Sequence, residues 1–183
     1  MTIGILNQMI HLSARVDLTE RYSKSSVILI EPQAPDSMVE IRGIPDNAVV
    51  IKMDKFPDLR NFLSNSRHEC SRADFAIIAE SNKKKIVLFI EMKKTKAKEC
   101  ELIEQLHGAR CVLTYCEEVG KRFYNCRDFL AGYEYRYVSF YKTSIRKTGS
   151  RTILKQNKRH DTPEKMLKIS FPNNIQFNHL IGG

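Results

Sequence analysis

The chain has 183 residues, 42% of them hydrophobic, with a formal net charge of +9 and a sequence pI near 9.4. This length suits one domain with a substantial core, so we expect residues 1–183 to form a single domain. The positive excess favours a polyanionic partner, with nucleic acid ahead of an acidic membrane surface. The longest apolar runs are too short for a membrane span and no secretory signal is visible, so a soluble, cytoplasmic protein without a membrane partner is expected.

The first 22 residues predict an amphipathic helix. Their apolar side chains recur at near-helical spacing: Ile3, Leu6, Met9, Ile10 and Val16. Three β-prone segments follow, separated by turns that contain Pro and Asp: 26–30, 38–44 and 48–53. A meander is the simplest arrangement of these strands. Residues 57–63 then predict a short helix that begins with Pro57.

The stretch 71–98 carries the clearest chemical pattern in the chain. Two apolar strands flank a polar turn, and a hairpin that closes symmetrically about this turn places Asp74 directly opposite Glu91. Opposed residues on one face have Cβ atoms about 4.5–5.5 Å apart. Because side chains alternate along a strand, Lys93 shares the face of Glu91, whereas the other face is wholly apolar and is expected in the core.

Two carboxylates that face each other at this distance destabilise the hairpin unless a cation lies between them. A hard divalent ion suits carboxylate oxygens, and Mg²⁺ commonly takes one or two protein carboxylates together with water and phosphate. Lys93 beside the pair can hold or deprotonate a water. The pattern therefore outlines a phosphodiester-cleaving site. The alternative is an ordinary surface hairpin with solvated charges at its ends.

Three short motifs resemble the PD-(D/E)XK nuclease superfamily: Arg72-Ala73-Asp74, Glu91-Met92-Lys93 and a following helix that contains Gln105. The resemblance covers about residues 70–115. It implies a mixed central β-sheet flanked by helices, in a restriction-endonuclease-like core of the α/β (α+β) class. It further implies that Asp74, Glu91 and the Met92 backbone carbonyl bind the metal, Mg²⁺ or Mn²⁺, and that Lys93 positions the attacking water.

The resemblance has departures. Ala73 stands where the family name has Pro, and Ala109 stands near the position of a Tyr found in RecB-like members, which leaves the accessory role of Gln105 open. Nuclease cores of this type often carry a further acidic ligand on the helix before the first strand. The candidates here are Glu20, the best placed by order, and Glu31 and Glu40 as alternatives.

The second half of the chain predicts a long helix at 99–119, with one apolar stripe and Gly120 as its C-terminal cap. A strand is expected at 133–142 and another at 166–171. His68, just before the motif strand, is a candidate phosphate contact, with an exposed loop histidine as the alternative.

Basic residues concentrate in two places. One is the run after Lys93, and the other is the segment 135–160, which contains eight Lys or Arg and no Asp or Glu. Phosphate neutralisation would concentrate there, although solvated charged surfaces are the alternative. The candidate nucleic-acid contacts are Lys94, Lys96, Lys98, Arg146, Lys147, Arg151 and Lys155.

These patterns lead to one hypothesis, a Mg²⁺- or Mn²⁺-dependent endonuclease that hydrolyses phosphodiester bonds in DNA. Restriction, junction-resolving and phage or mobile-element nucleases all fit it. Cutting both strands requires two sites, so a homodimer is expected. An RNA endonuclease on the same scaffold and a non-catalytic nucleic-acid-binding module are the alternatives.

Overall fold

The computed structural model describes residues 1–21, 24–31, 34–95, 97–143, 159–172 and 174–182. They form three α-helices: α1 Thr2–Met9, α2 Glu99–Phe123 and α3 Phe177–Ile181. They also form ten strands: β1 Arg15–Val16, β2 Thr19–Arg21, β3 Lys24–Glu31, β4 Ala34–Ile44, β5 Ala48–Lys52, β6 Phe75–Glu80, β7 Lys85–Lys93, β8 Glu134–Tyr141, β9 Leu167–Ser170 and β10 Asn174–Gln176. Short 3-10 helices lie at Leu12–Ala14, Met53–Lys55 and Pro163–Lys165.

The larger sheet has six strands in the order β1-β5-β6-β7-β8-β9. Neighbouring strands from β1 to β7 in this order are antiparallel, whereas β7, β8 and β9 run parallel. Helix α2 connects β7 to β8, because a parallel pair needs a connection that crosses over the sheet. The hairpin β6–β7 therefore lies in the middle of a mixed sheet, as the sequence predicts.

A second sheet has four strands in the order β10-β4-β3-β2. Strand β10 is parallel to β4, whereas the other pairs are antiparallel. The fold is thus mixed α+β, with two mixed sheets and few helices among the described residues. No helix within them has both the length and the apolar character needed to cross a membrane.

Hydrophobic clusters cover both faces of the six-stranded sheet. Strand β7 divides its side chains between them by simple alternation. Val87 and Phe89 belong to the cluster formed with α1 and α2, and Leu88 and Ile90 belong to the cluster formed with the second sheet and α3. All four side chains are fully buried. The central hairpin consequently lies between a helical layer and a second β-layer.

The meander predicted for the three early strands is wrong, because these strands divide between the two sheets. β3 pairs with β4 in the second sheet, whereas β5 pairs with β1 and β6 in the first. Each segment is rich in apolar, β-prone residues, so its local pattern is compatible with either sheet. The choice depends on contacts that are distant in sequence.

The two early helix predictions also need correction. The helix predicted for 1–22 ends at Met9, and the chain then enters β1, where Val16 pairs with Val50. Residues 57–63 form a turn in which the Phe62 and Leu63 backbone N–H groups both donate to the Leu59 carbonyl. Apolar spacing alone could not distinguish a long helix from a short helix followed by an edge strand.

Later elements agree better with the sequence. Strands β8 and β9 fall inside the predicted ranges 133–142 and 166–171. Helix α2 begins at Glu99 as predicted but continues to Phe123, so Gly120 is an interior residue and not the cap. A Cβ atom at Gly120 would lie 2.5 Å from the Phe129 ring, and the glycine is therefore needed for close packing.

Candidate active site at the end of the central hairpin

The β6–β7 hairpin has the register that the sequence predicts. Its pairs run from Phe75 opposite Ile90 to Glu80 opposite Lys85. Extending this register by one residue brings Asp74, which directly precedes β6, opposite Glu91. Two candidate ligands that are distant in sequence therefore meet at one end of the central sheet.

Hydrogen bonds interlock the two acidic residues. The Asp74 backbone N–H donates to Glu91 Oε2 at 3.2 Å, and the Met92 backbone N–H donates to Asp74 Oδ2 at 2.7 Å. Each carboxylate thus accepts a backbone donor from the opposing strand. These two hydrogen bonds fix the orientation of both side chains.

Lys93 lies beside the pair, on the face predicted by alternation. Its Nζ atom is 2.6 Å from Glu91 Oε1. The Glu91 side chain is fully buried, whereas Lys93 retains 29% exposure. The ammonium group can therefore contact both the buried carboxylate and a solute that approaches from solvent.

Burial changes the protonation of this cluster. Burial first, and then the charge of Asp74, raise the pKa of Glu91. Burial also raises the pKa of Asp74, although the Met92 N–H and the Lys93 ammonium oppose this rise. The two carboxylates therefore resist simultaneous ionisation unless more positive charge is supplied.

The Lys93 ammonium is stabilised in its charged form. Burial alone would lower the pKa of Lys93, but the nearby carboxylates, with Glu91 foremost, outweigh burial and raise it above the ordinary value. A protonated ammonium can orient a water or contact a phosphate oxygen, but it cannot accept a proton. Of the two roles open from the sequence, the positioning role fits this environment.

The surroundings of one buried atom, Glu91 Oε1, indicate whether these residues suit a metal ion. Glu91 Oε1 has no hydrogen-bond donor of normal geometry among the described residues and faces only the Lys93 ammonium. A buried carboxylate oxygen whose close partner is a single ammonium group keeps lone pairs that a further cation can use. No group of three or more His, Cys, Asp or Glu in the described ranges is placed to hold an ion. The Asp74 and Glu91 carboxylates are a pair that Mg²⁺ can use together with water.

Helix α2 is fastened to the backbone next to Asp74. The Ala73 N–H donates to the Gln105 carbonyl at 2.7 Å. One turn later, a Cβ atom at Gly108 would lie only 1.6 Å from the Ser71 carbonyl oxygen, so only glycine fits there. Gln105 is therefore close to the site through its backbone, and its Oε1 atom is buried without a partner among the described residues. Sequence reasoning missed Gly108, which showed only as a glycine inside a helical pattern.

Other predicted site residues lie elsewhere. Glu20 is exposed on β2 in the second sheet, and His68 is an exposed loop residue with φ of 58°. Lys94 is half exposed and pairs with Asp36 at 3.1 Å. Lys98 is exposed just before α2. Five candidate nucleic-acid contacts fall outside the described residues: Lys96, Arg146, Lys147, Arg151 and Lys155.

Two further residues border the site. Glu31, one of the alternatives considered for the further acid, ends β3 in the second sheet and is buried. The Thr143 hydroxyl lies 3.4 Å from Glu31 Oε2 and 3.5 Å from the Lys93 carbonyl oxygen. Nothing in the sequence around Thr143 distinguishes it from other hydroxyl residues. Its contacts arise only because the ends of β3, β7 and β8 lie close together in the fold.

Comparisons with protein-family models, with curated proteins and with solved structures found no match for this chain.

Proposed function

We propose that the protein is a divalent-metal-dependent endonuclease that hydrolyses phosphodiester bonds in DNA. The observation that carries the proposal is the pairing of the fully buried Glu91 carboxylate with the half-buried Asp74 carboxylate, with the Lys93 ammonium 2.6 Å from Glu91. Two like charges at close range, one of them fully buried, are a costly arrangement for a structural hairpin. It is an appropriate arrangement for holding a cation against a phosphate.

The order of elements around the site supports the same proposal. An antiparallel unit of β5, β6 and β7 is followed by α2 and by β8, parallel to β7. The acids lie at the start of β6 and the end of β7, and α2 packs beside them. This agrees with the restriction-endonuclease-like core that the sequence motifs imply, and we include that core in the proposal.

Each residue has a distinct role in the proposed reaction. Asp74, Glu91 and the Met92 carbonyl would hold the ion, which when bound polarises the phosphate and makes a bound water more acidic. Lys93 donates a hydrogen bond that orients the attacking water. Its positive charge also offsets the negative charge that develops on the phosphoryl oxygens. The backbone N–H groups of Asp74 and Met92 keep the carboxylates aligned before substrate arrives.

Charge supports a nucleic-acid substrate. The chain carries +9, and the segment 135–160 contributes eight basic residues and no acidic ones. Thr143, which contacts the Lys93 carbonyl, directly precedes the part of this segment that lies outside the described residues. The last described residue before the rest of the basic segment, Thr143, therefore lies beside the proposed site. Because two opposed nicks require two sites, a homodimer is part of the proposal.

The test is a substrate panel. Plasmid DNA, single-stranded DNA and RNA are incubated with the wild type in Mg²⁺, in Mn²⁺ and in EDTA. The matched variants are Lys93→Ala and Lys83→Ala, the second being an exposed lysine in the turn at the opposite end of the same hairpin. We expect metal-dependent cleavage of DNA that Lys93→Ala abolishes, with DNA binding retained, and that Lys83→Ala leaves unchanged.

Other results select the alternatives. Preferential cleavage of RNA would indicate an RNA endonuclease on the same scaffold. Binding in EDTA without cleavage under either metal would indicate a non-catalytic nucleic-acid-binding module. Equal loss in both lysine variants would mean that general charge, and not the position of Lys93, matters.

A further inference from the structure

A buried serine on β8 continues the row of side chains that the two candidate acids begin. The register of β7 and β8 pairs Glu91 with Ser139, and the register of β8 and β9 pairs Ser139 with Lys168. Paired residues on neighbouring strands point to the same face of a sheet. Phe89 and Tyr137, two residues earlier on the same strands, have their ring centroids 5.3 Å apart in the helical cluster. Ser139 and Lys168 therefore lie on the face of Glu91, beneath the helical layer.

Two neighbouring polar atoms in this row lack ordinary hydrogen-bond partners. Ser139 is fully buried, and its Oγ atom has no partner among the described residues. Glu91 Oε1, on the adjacent strand about 4.8 Å away, is also buried, and its close contact is the Lys93 ammonium. A buried polar group without a partner lowers stability by roughly 1–3 kcal/mol. Two such atoms on paired residues require an explanation beyond packing.

One water molecule would satisfy both atoms. A serine hydroxyl can donate and accept, whereas an ionised carboxylate only accepts. A water that is hydrogen-bonded to Ser139 Oγ still has a proton to donate to Glu91 Oε1. Buried waters typically make about two to four hydrogen bonds to groups that lack other partners. The Lys93 ammonium, 2.6 Å from Glu91 Oε1, is placed to be a third partner.

We propose that Ser139 is a positioning residue of the candidate site, and that its hydroxyl holds a buried water against Glu91 Oε1. The role rests on the proposed function, because it takes Glu91 as a metal ligand. Glu91 Oε2 already accepts the Asp74 backbone N–H at 3.2 Å. The water fixes the second oxygen, so the carboxylate keeps its orientation when the Lys93 ammonium turns towards a substrate.

The other end of the row is anchored to helix α2. Lys168 Nζ lies 2.8 Å from Oε1 of Glu99, the first residue of α2. Lys168 retains 38% side-chain exposure, whereas Ser139 beside it has none. The ion pair holds the start of α2 next to the row. A water bound at Ser139 is therefore enclosed by protein and separated from bulk solvent.

Ser37 provides a matched control. Like Ser139, it is fully buried on a strand, and its Oγ atom has no partner among the described residues. It lies on β4 in the second sheet, however, and is not a neighbour of Glu91 in the six-stranded sheet. Replacing either serine by Ala removes the same hydroxyl from the same degree of burial. Only the position of the hydroxyl differs between the two variants.

The first experiment measures metal binding without relying on catalysis. Isothermal titration calorimetry gives the Mn²⁺ affinity of the wild type and of four variants: Ser139→Ala, Ser139→Thr, Ser37→Ala and Asp74→Asn. We expect Ser139→Ala to bind Mn²⁺ about tenfold more weakly or worse, as is typical when a group that orients a ligand is removed. Ser139→Thr keeps the hydroxyl and should restore most of the affinity. Ser37→Ala should bind like the wild type, and Asp74→Asn should lose binding.

The second experiment looks for the water directly. In a high-resolution crystal structure of the wild type, an ordered water is expected about 2.5–3.0 Å from both Ser139 Oγ and Glu91 Oε1. It should be absent from crystals of Ser139→Ala. The role of Ser139 would be overturned by a wild-type structure in which Ser139 Oγ donates to a backbone carbonyl and no water bridges it to Glu91.

The outcomes separate the two proposals. If Ser139→Ala binds Mn²⁺ like the wild type while Asp74→Asn does not, the role of Ser139 is overturned and the site of Asp74 and Glu91 stands. Equal weakening in Ser139→Ala and in either Ser139→Thr or Ser37→Ala would also overturn it, since the hydroxyl at this position would not be the cause. If the wild type binds no Mn²⁺, or Asp74→Asn binds it unchanged, both proposals fail.

Urea denaturation shows whether each variant folds. Should Ser139→Ala not fold, Ser139→Cys is titrated instead. That variant nearly keeps the shape of the side chain but replaces the hydroxyl by a weak hydrogen-bonding group. Unchanged Mn²⁺ affinity in it would overturn the role of Ser139.

Discussion

A carboxylate loses hydration when it is buried, and Asp74 and Glu91 lose it together at one end of the hairpin. Their mutual repulsion and burial oppose ionisation, whereas the Lys93 ammonium offsets only part of the cost. Active sites typically contain residues that lower the stability of the folded state but are positioned for catalysis. This conflict between stability and function produces two predictions.

The first concerns substitution of Asp74. Asp74→Asn removes the charge and keeps an oxygen that can accept the Met92 N–H. We expect the metal-free protein to gain roughly 1–3 kcal/mol of unfolding free energy at pH 8, because the buried repulsion is relieved. Cleavage should fall by orders of magnitude. Urea denaturation in EDTA measures the change in unfolding free energy, and a cleavage assay measures the loss of activity. A variant that is less stable than the wild type and still cleaves DNA would contradict both expectations.

The second concerns pH. Burial raises the pKa of Asp74 from 3.8 to about 7 and that of Glu91 from 4.5 to about 8. Between the ordinary and the raised pKa values, the folded state binds more protons than the unfolded state, so unfolding free energy falls as pH rises. We expect the metal-free protein to lose stability from about pH 4 to pH 8 and to regain it when Mn²⁺ is added.

Denaturation at several pH values in EDTA measures this slope. Asp74→Asn should have a shallower slope than the wild type, because one of the two shifted groups is gone. A wild type that becomes more stable as pH rises through this window would contradict the buried-pair interpretation.

At the scale of secondary-structure elements, the critical contact is between α2 and the backbone that leads into β6. Gly108→Ala would place a methyl group 1.6 Å from the Ser71 carbonyl, so the helix must move away. We expect a loss of about 1–3 kcal/mol in unfolding free energy, together with lower activity. The matched control is Gly4→Ala in α1, where a Cβ atom meets nothing within 4 Å. That variant should leave the unfolding free energy unchanged or raise it slightly. Equal losses of unfolding free energy in the two variants would show that replacing any helical glycine is harmful, and that the close approach to Ser71 is not the cause.

Elements also show what the sequence could predict. The hairpin register is readable because a strand alternates with period two and the polar turn is short, so Asp74 and Glu91 are brought together by local rules. Helix α2 is predicted by one long apolar stripe. The division of β3, β4 and β5 between two sheets is not readable, since it depends on which faces become buried. The contact of Thr143 with the Lys93 carbonyl could not be predicted for the same reason.

For the whole molecule, the net charge of +9 predicts that DNA binding depends strongly on salt. Replacing Arg146, Lys147, Arg151 and Lys155 by Ala should reduce the slope of log affinity against log salt by up to about 3 to 4. Replacing Lys83, Lys84 and Lys85, at the far end of the hairpin, should change it little. Titrations at several salt concentrations measure both slopes. Equal changes in both variants would contradict a local binding segment.

The location of the metal is the central claim, and anomalous diffraction from crystals soaked in Mn²⁺ tests it most directly. We predict one anomalous peak within bonding distance of the Asp74 and Glu91 carboxylates, with Lys93 beside it. The assignment of the metal site would be contradicted if Mn²⁺ bound only elsewhere while the Asp74 and Met92 backbone N–H groups still donated to the two carboxylates.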